Sequence, residues 1–171
     1  MSILTRRKSI DDILRAVAGS RGVLIIGCHG CAEDSSTGGP KEVSKVAKRL
    51  REQNIETLRF SDPCMTYVCW ERTVEERFYE IEEVKASIDT ILLLSCGAGI
   101  SCINEVLRKH GVTMRVVPGI DTIGIGHVPL EGKGKITCML CGNCSLIQDK
   151  SGYNVCRLIN NLRKNRVRSI K

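Results

Sequence analysis

The stretch Val23-Leu24-Ile25-Ile26-Gly27-Cys28-His29-Gly30-Cys31 decides the fold, because an apolar run ends there in a turn rich in glycine and cysteine. Such a run predicts a strand buried on both faces, as in a parallel sheet covered by helices. Further strands are predicted over 55–60, 90–95 and 112–117. Helices are predicted to start at the N-cap Ser9 and to extend over about 74–87 and about 155–164, whereas 32–38 is predicted to be a loop and 118–135 to be irregular. We therefore expect an α/β fold: a parallel sheet of about four strands with flanking helices, Rossmann- or flavodoxin-like.

Cysteines follow each of the first three predicted strands. Cys28 and Cys31 come after the first strand, Cys64 after the second and Cys96 after the third. The carboxyl ends of parallel strands share one edge of a sheet, where ligands bind in such folds. We therefore expect these four cysteines to meet as ligands of a metal centre. Cys69 lies close enough in the chain to replace Cys64.

A second set of cysteines lies near the end of the chain. Cys138, Cys141 and Cys144 have C-x2-C-x2-C spacing, and Cys156 follows them. Three thiolates at this spacing fold around a cubane iron–sulfur cluster, and a remote cysteine completes its ligands. A zinc ribbon normally uses two separate C-x2-C pairs, so zinc is the alternative metal. We expect one or two 4Fe–4S clusters in the protein.

The composition is typical of a globular protein, and we expect a single domain over 1–171. Its α/β core is predicted over 22–128, and an irregular Cys-rich, cluster-binding segment with a C-terminal helix over 129–171. Apolar residues make up 42% and charged residues 26% of the 171 residues, and no apolar run is long enough to cross a bilayer. Ten cysteines without an export signal predict metal or redox chemistry in a reducing cytoplasm.

The formal charge of +7 does not by itself predict a nucleic-acid partner. This value counts every cysteine as neutral, whereas metal-bound cysteines are thiolates. With three Tyr, two Phe and one Trp, the chain also has few side chains on which bases could stack. We expect no nucleic acid among the partners.

The turn Gly97–Gly99 follows the third predicted strand. In a G-x-G-x-x-G fingerprint the third glycine would fall at Cys102, so a dinucleotide site is not indicated. We expect the turn to bring backbone N–H groups close to whatever Cys96 holds, which makes Gly97 and Gly99 candidate cofactor-binding residues. His29 is predicted either to donate to a cluster sulfur or to be a solvated loop residue. No pattern indicates a hydrolytic site, and we assign no catalytic residue.

Five short motifs are similar to a known family and occur in the family's order between about residues 22 and 160. They are Gly27–Cys31, Gly38–Val43, Leu94–Gly99, Pro118–Thr122 with Gly124, and Cys138–Leu146. The chain resembles the C-terminal domain or iron–sulfur small subunit of methylenetetrahydrofolate reductase in acetogens and other anaerobes. Ser35 stands where a cysteine is usual in that family, Gly152–Val155 replaces a Gly-x-Cys-Pro motif, and the Cys-Gly-Gly tail is absent.

The resemblance implies an iron–sulfur subunit, not itself catalytic, that passes electrons to a flavin-containing catalytic subunit in one-carbon metabolism. An upstream electron-donor subunit would supply the electrons. The residues at cysteine positions of the family are Cys28, Cys31, Cys96, Cys138, Cys141, Cys144 and Cys156. Two alternatives stay open. One is a zinc-binding structural or interaction subunit of a methyltransferase or reductase complex, and the other is a thiol-redox protein that uses Cys28 and Cys31.

Overall fold

The computed structural model describes residues 2–127 and 135–138. The chain divides into two compact units. The larger unit is Thr5–Thr122, and the other contains the chain up to Leu4 and from Ile123 onwards. The larger unit includes most of the range that the sequence assigns to the α/β core. The assignment of one domain to the whole chain stays a prediction.

Strands and helices alternate through most of the described residues. The strands are β1 (Ser2–Arg7), β2 (Val23–His29), β3 (Thr57–Leu58), β4 (Cys64–Thr66), β5 (Thr90–Leu94), β6 (Arg115–Pro118), β7 (Ile120–His127) and β8 (Lys135–Cys138). The helices are α1 (Ile10–Val17), α2 (Cys31–Asp34), α3 (Pro40–Glu52), α4 (Glu71–Glu76), α5 (Phe78–Val84) and α6 (Gly97–Lys109).

A parallel sheet with the order β3-β2-β5-β6 forms the centre of the larger unit, and β4 pairs with β2 beyond the end of β3. The prediction of an α/β fold with a parallel sheet of about four strands and flanking helices is therefore confirmed. A second sheet has the order β1-β7-β8, in which β7 and β8 are antiparallel. Among the described residues, no helix combines the length and the apolar character that a membrane span requires.

The two central strands are buried along their whole paired length. Val23 pairs with Thr90, and the register continues to Gly27 and Leu94. The apolar runs that predicted these strands are buried on both faces because helices cover the sheet. Each large aliphatic side chain buried in this way contributes about 1.5–3 kcal/mol to stability. These strands form the rigid part of the fold from which the cysteine-bearing loops extend.

Several predicted elements differ in length from those observed. The predicted strand over 55–60 contains only the two residues of β3, and β4 was not predicted. The helix predicted over 74–87 is two helices, α4 and α5, which meet at Arg77. There the Arg77 guanidinium donates to the carbonyl oxygens of Asp62 and Cys64 at 2.9 and 2.7 Å, so the break anchors the segment around β4.

The prediction of irregular structure over 118–135 was wrong for its first part. Residues 120–127 form strand β7, and β1 at the start of the chain was not predicted either. The Ser9 side chain accepts a hydrogen bond from the Asp12 N–H, as expected for the predicted N-cap of α1. The predicted C-terminal helix over 155–164 lies outside the described residues.

The loop after β2 is held tightly against the neighbouring strand. The Cys28 N–H donates to the Gly38 carbonyl at 2.9 Å, so the loop folds back on the strand from which it starts. A Cβ at Gly38 would overlap the carbonyl oxygen of Leu94, the last residue of β5. Only glycine permits this close approach. The chain leaves β2 towards β3 on one side and leaves β5 towards β6 on the other, so the carboxyl ends of β2 and β5 flank the crevice in which such folds bind ligands.

Candidate metal centre

Cys28 and Cys96 lie at the carboxyl ends of the two central strands. The last registered pair between these strands is Gly27 with Leu94, so Cys28 comes one residue after this pair and Cys96 two residues after it. Both are buried, with 6% of each residue exposed. Cys96 is the N-cap of α6, where the positive end of the helix dipole favours negative charge such as that of a thiolate. The fold thus brings together two cysteines that are far apart in the sequence, as the strand pattern predicted.

Cys64 lies on the opposite face of the sheet from Cys28. In the ladder between β2 and β4, Cys64 pairs with Gly27, and Met65 pairs with Cys28. Successive side chains alternate between the faces of a strand, so Cys28 points away from Cys64. A Cβ at Gly27 would overlap both the Cys64 sulfur and Val43 of α3, which places Cys64 between the sheet and that helix. Burial raises the pKa of the Cys64 thiol to about 12.

The sulfur of Cys28 is surrounded by hydrogen-bond donors and by other thiols. Burial raises the pKa of the Cys28 thiol. The Val68 backbone N–H and the Ser95 hydroxyl act in the opposite direction because they stabilise the thiolate. Cys96 and Cys69 raise the pKa further, since a negative charge on either thiol would repel one on Cys28. Cys28 therefore lies among the groups that a metal-bound thiolate needs.

Cys69 is the cysteine that joins this site from the segment after β4. It is an exposed residue, and the partial burial of its thiol raises its pKa, with Cys96 and Cys31 as further causes. Cys28, Cys31, Cys69 and Cys96 each interact electrostatically with another member of this group, and we call them the edge thiols. Cys102 in α6 also interacts with Cys69, which contributes to its raised pKa. Cys64 influences Cys28 as well, but from the other face of the sheet. The geometry favours Cys69 over Cys64 as the fourth member.

Cys31 begins the short helix α2, whereas the sequence predicted loop from this residue to the next helix. Cys102 is partly buried in α6 and packs against the core. Within residues 2–127 and 135–138, no three side chains of the metal-binding types are arranged to hold a metal ion. The edge thiols are therefore neighbours without forming a preassembled ion site, and the metal centre stays a prediction.

The predicted C-terminal ligands fall mostly outside the described residues. Cys138 is the last residue of β8. Cys141, Cys144 and Cys156 are not among the residues that the structure describes. The assignment of these four cysteines to a cluster stays a prediction.

His29 is directed at carboxylates in the structure. Its Nδ1 lies 2.8 Å from a Glu33 oxygen, and its Nε2 lies 3.4 Å from an Asp62 oxygen. The hydrogen bond to Glu33 is the main cause that raises the pKa of the His29 imidazole. This arrangement therefore favours the second role predicted for His29, that of a loop residue, over donation to a cluster sulfur.

The glycines after β5 form the first turn of α6, where the sequence predicted a separate tight turn. The Gly97 N–H donates to the Thr122 hydroxyl at 2.9 Å, and the Gly99 N–H donates to the Cys96 carbonyl at 2.9 Å. These two amides are therefore engaged within the protein. A Cβ at Gly99 would overlap the Ser95 Oγ, so the missing side chain at Gly99 leaves room for the Ser95 hydroxyl.

An aromatic pair lies beside the edge thiols. The rings of Tyr67 and Trp70 stack with centroids 5.0 Å apart, and both residues are exposed. A Cβ at Gly30 would lie 3.0–3.2 Å from the Tyr67 ring and 3.6 Å from the Cys28 sulfur, so this ring lies over the mouth of the site.

The edge thiols and their surroundings fit an iron–sulfur centre chemically. Four thiolates are the usual ligand set of a cubane cluster, and hydrogen bonds to the sulfurs adjust its potential. The Val68 N–H and the Ser95 hydroxyl are two donors available for that role. No sequence pattern indicates either donor, and the sequence indicated Cys69 only as an alternative to Cys64.

Comparison of the chain with protein-family models, with curated proteins and with solved structures gave no match. The resemblance to the methylenetetrahydrofolate reductase family therefore depends on the motifs quoted above.

Proposed function

We propose that the protein is an iron–sulfur electron-transfer subunit. The observation that supports the proposal is that Cys28 and Cys96 lie at the carboxyl ends of the two paired central strands, with Cys69 and Cys31 as electrostatic neighbours within the group. These cysteines would hold one 4Fe–4S cluster. Cys138, Cys141, Cys144 and Cys156 would hold a second cluster, because their spacing is typical of cubane ligation. When bound, such clusters accept and release single electrons.

The chain's own residues would bind the cluster, exclude water from it and hold it near the surface. Cys28 and Cys96 anchor it on the buried side. Cys69 and the exposed Trp70 lie at the outer side, where a partner protein can approach. The Tyr67 ring lies next to Gly30, which also adjoins the Cys28 sulfur. This arrangement suits a carrier that exchanges electrons with a partner and does not bind a large substrate itself.

The surroundings of Cys28 favour a metal centre over a reactive thiol pair. A catalytic or redox-active cysteine needs a lowered pKa, because the thiolate is the nucleophile. Burial instead raises the pKa of the Cys28 thiol. Cys31 does begin a helix, as in many thiol-redox pairs, but α2 has only four residues. A metal ion overcomes a raised thiol pKa because it binds the deprotonated form directly.

We propose a flavin-containing methylenetetrahydrofolate reductase catalytic subunit as the electron acceptor, in the cytoplasm, with a separate subunit as the electron donor. This part of the proposal rests on the resemblance of the five motifs to that family. A flavin accepts electrons one at a time or in pairs, so it is a suitable acceptor for a one-electron carrier.

An electron-transfer experiment tests the function. The full chain is purified under anaerobic conditions, reduced with dithionite, freed of excess reductant and mixed with a purified flavin-containing methylenetetrahydrofolate reductase subunit. We expect the flavin absorbance to bleach in proportion to the electrons that the protein carries. A flavin that stays oxidised while the reduced clusters persist would contradict the proposed acceptor.

Cysteine variants test whether electron transfer depends on the proposed ligands. Cys69→Ser should lower the iron content and the number of electrons transferred, whereas Cys102→Ser should leave both unchanged. Cys102 is a stringent control because it interacts electrostatically with Cys69 but lies within α6 and packs against the core. Equal losses in the two variants would show that any cysteine replacement damages the protein and that Cys69 has no specific role.

A further inference from the structure

A cavity lies at the carboxyl ends of β5 and β6. Leu94 is the last residue of β5, Gly119 and Ile120 follow β6, and all three line the cavity. Other lining residues belong to α1 and α3, so the cavity lies on the face of the sheet that α3 covers. The Cys28 side chain points to the opposite face. The cavity is therefore separate from the candidate metal centre.

The size of the cavity limits what it can hold. Its volume is about 90 Å³, whereas sites for drug-sized molecules have about 300–1,000 Å³. A single water molecule needs at least about 10–15 Å³. The cavity therefore has room for a molecule of a few non-hydrogen atoms and is too small for a flavin or a nucleotide.

The inner wall of the cavity is aliphatic. Ile13 of α1, Leu94 and Ile120 are buried, and the partly buried Val46 of α3 completes this surface. Apolar surface of this kind gains free energy when it covers another apolar group and releases water. The inner wall is therefore suited to a short hydrocarbon chain.

The outer residues of the cavity carry an excess of positive charge. The lining cations are Arg7, Lys8 and Lys45. Glu42 is the one carboxylate among the lining residues, so they carry a net charge of +2. A cleft lined mainly by charges of one sign attracts ligands of the opposite sign. The mouth of the cavity is therefore suited to an anionic group.

The protein itself holds two of the three cations in place. Arg7 pairs with Glu42 at 3.1 Å, and Lys8 pairs with Asp121. Lys45 is exposed, and its ammonium has no hydrogen bond or ion pair with any other described residue. Lys45 is therefore the cation whose donors are available to a ligand.

We propose that this cavity binds a short aliphatic carboxylate. The hydrocarbon chain packs against the aliphatic inner wall, and the carboxylate accepts a hydrogen bond from the Lys45 ammonium. Arg7 and Lys8 add positive charge at the mouth. Inorganic phosphate has no apolar part to bury against the inner wall, so an organic anion is the better fit. This site requires no metal, and the inference does not depend on the proposed electron-transfer function.

The test is a nuclear magnetic resonance titration of the full, reduced chain at constant ionic strength. The probe is butyrate, and the comparison ligands are inorganic phosphate and butyramide, a neutral amide of the same size. We expect butyrate to shift the backbone amide signals of Gly119 and Ile120 until they saturate. Butyramide and phosphate should bind at least about tenfold more weakly, because each lacks one of the two features that the site recognises.

Variants on one face of α3 test the role of Lys45. Lys45→Met should weaken butyrate binding at least about tenfold, which corresponds to the loss of one hydrogen bond to a charged group. Lys45→Arg should restore most of the affinity. Lys48→Met is the matched control, because Lys48 is also an exposed lysine of α3 but does not line the cavity. It should leave the affinity unchanged.

Four results would overturn the inference. Butyrate that causes no saturable shift would show that the site does not exist, and butyramide that binds as tightly as butyrate would show that charge has no part in binding. Phosphate that binds more tightly than butyrate would refute the organic class of ligand. Equal weakening by Lys45→Met and Lys48→Met, with both variants folded by circular dichroism, would show only a general attraction of anions to the basic helix.

Discussion

Gly38→Ala tests how the fold holds the edge thiols in place. The new Cβ would lie well inside 3.0 Å of the Leu94 carbonyl oxygen, and a backbone atom of a central strand cannot move aside cheaply. The loop must therefore shift away from β5. Such overpacking costs about 1–3 kcal/mol. The shift also stretches the hydrogen bond from the Cys28 N–H to the Gly38 carbonyl, and an unpaired buried N–H costs about 1–3 kcal/mol.

We therefore expect Gly38→Ala to lower the free energy of unfolding by about 2–6 kcal/mol. The measurement is urea unfolding of the reduced, metal-free chain followed by circular dichroism, with linear extrapolation to water. Gly97→Ala is the matched control, because the nearest atom that its Cβ would meet is the Thr122 Oγ1 at 3.7 Å, an ordinary contact. That variant should change stability by less than about 0.5 kcal/mol. Equal effects of the two variants would refute the argument that the loop is clamped against β5.

Three further predictions follow from the environments of individual side chains. Burial raises the pKa of the Cys64 thiol to about 12 from 9.0, so the stabilising contribution of the neutral thiol is complete below pH 9 and is lost as the pH rises towards 12. The difference in unfolding free energy between wild type and Cys64→Ala should therefore change by up to about 1.4 kcal/mol per pH unit in that range. Parallel curves of stability against pH would contradict this. In the metal-free chain, iodoacetamide should alkylate the exposed Cys69 before the buried Cys28, Cys64 and Cys96, as measured by peptide mass spectrometry. Metal loading should protect Cys69. Alkylation of Cys64 first would contradict the burial of that thiol. Trp70 is the single tryptophan of the chain and stacks on Tyr67 beside the edge thiols, so assembly of a cluster there should quench its fluorescence, whereas unchanged emission would indicate that the cluster forms elsewhere.

The parallel sheet was predictable because its central strands are unbroken apolar runs. Such runs are typical of strands buried on both faces, and each ends in a glycine or cysteine turn. By contrast, β7 contains Gly124 and Gly126, which are unfavourable in strands and made the segment look irregular. In β1, the adjacent residues Leu4 and Thr5 are both buried, so the strand lacks the alternation that a half-buried strand shows in sequence.

The candidate site was predictable only in part. Cys28 and Cys96 could be placed together because strand order alone brings them to one edge. The choice between Cys64 and Cys69 depends on side-chain direction, which the pairing of β4 with β2 determines. Tyr67 adopts a left-handed backbone conformation with φ of 51° shortly before Cys69, and tyrosine gives no sequence signal for such a turn. The Val68 N–H that faces Cys28 is a backbone group, and no residue type predicts it.

The most direct test of the iron–sulfur assignment is the iron, zinc and acid-labile sulfide content of the full chain purified without oxygen. We expect a brown protein that contains iron and sulfide in equal amounts, and Cys28→Ser should lose the share that belongs to the edge thiols. A colourless protein that contains zinc without sulfide would contradict the account.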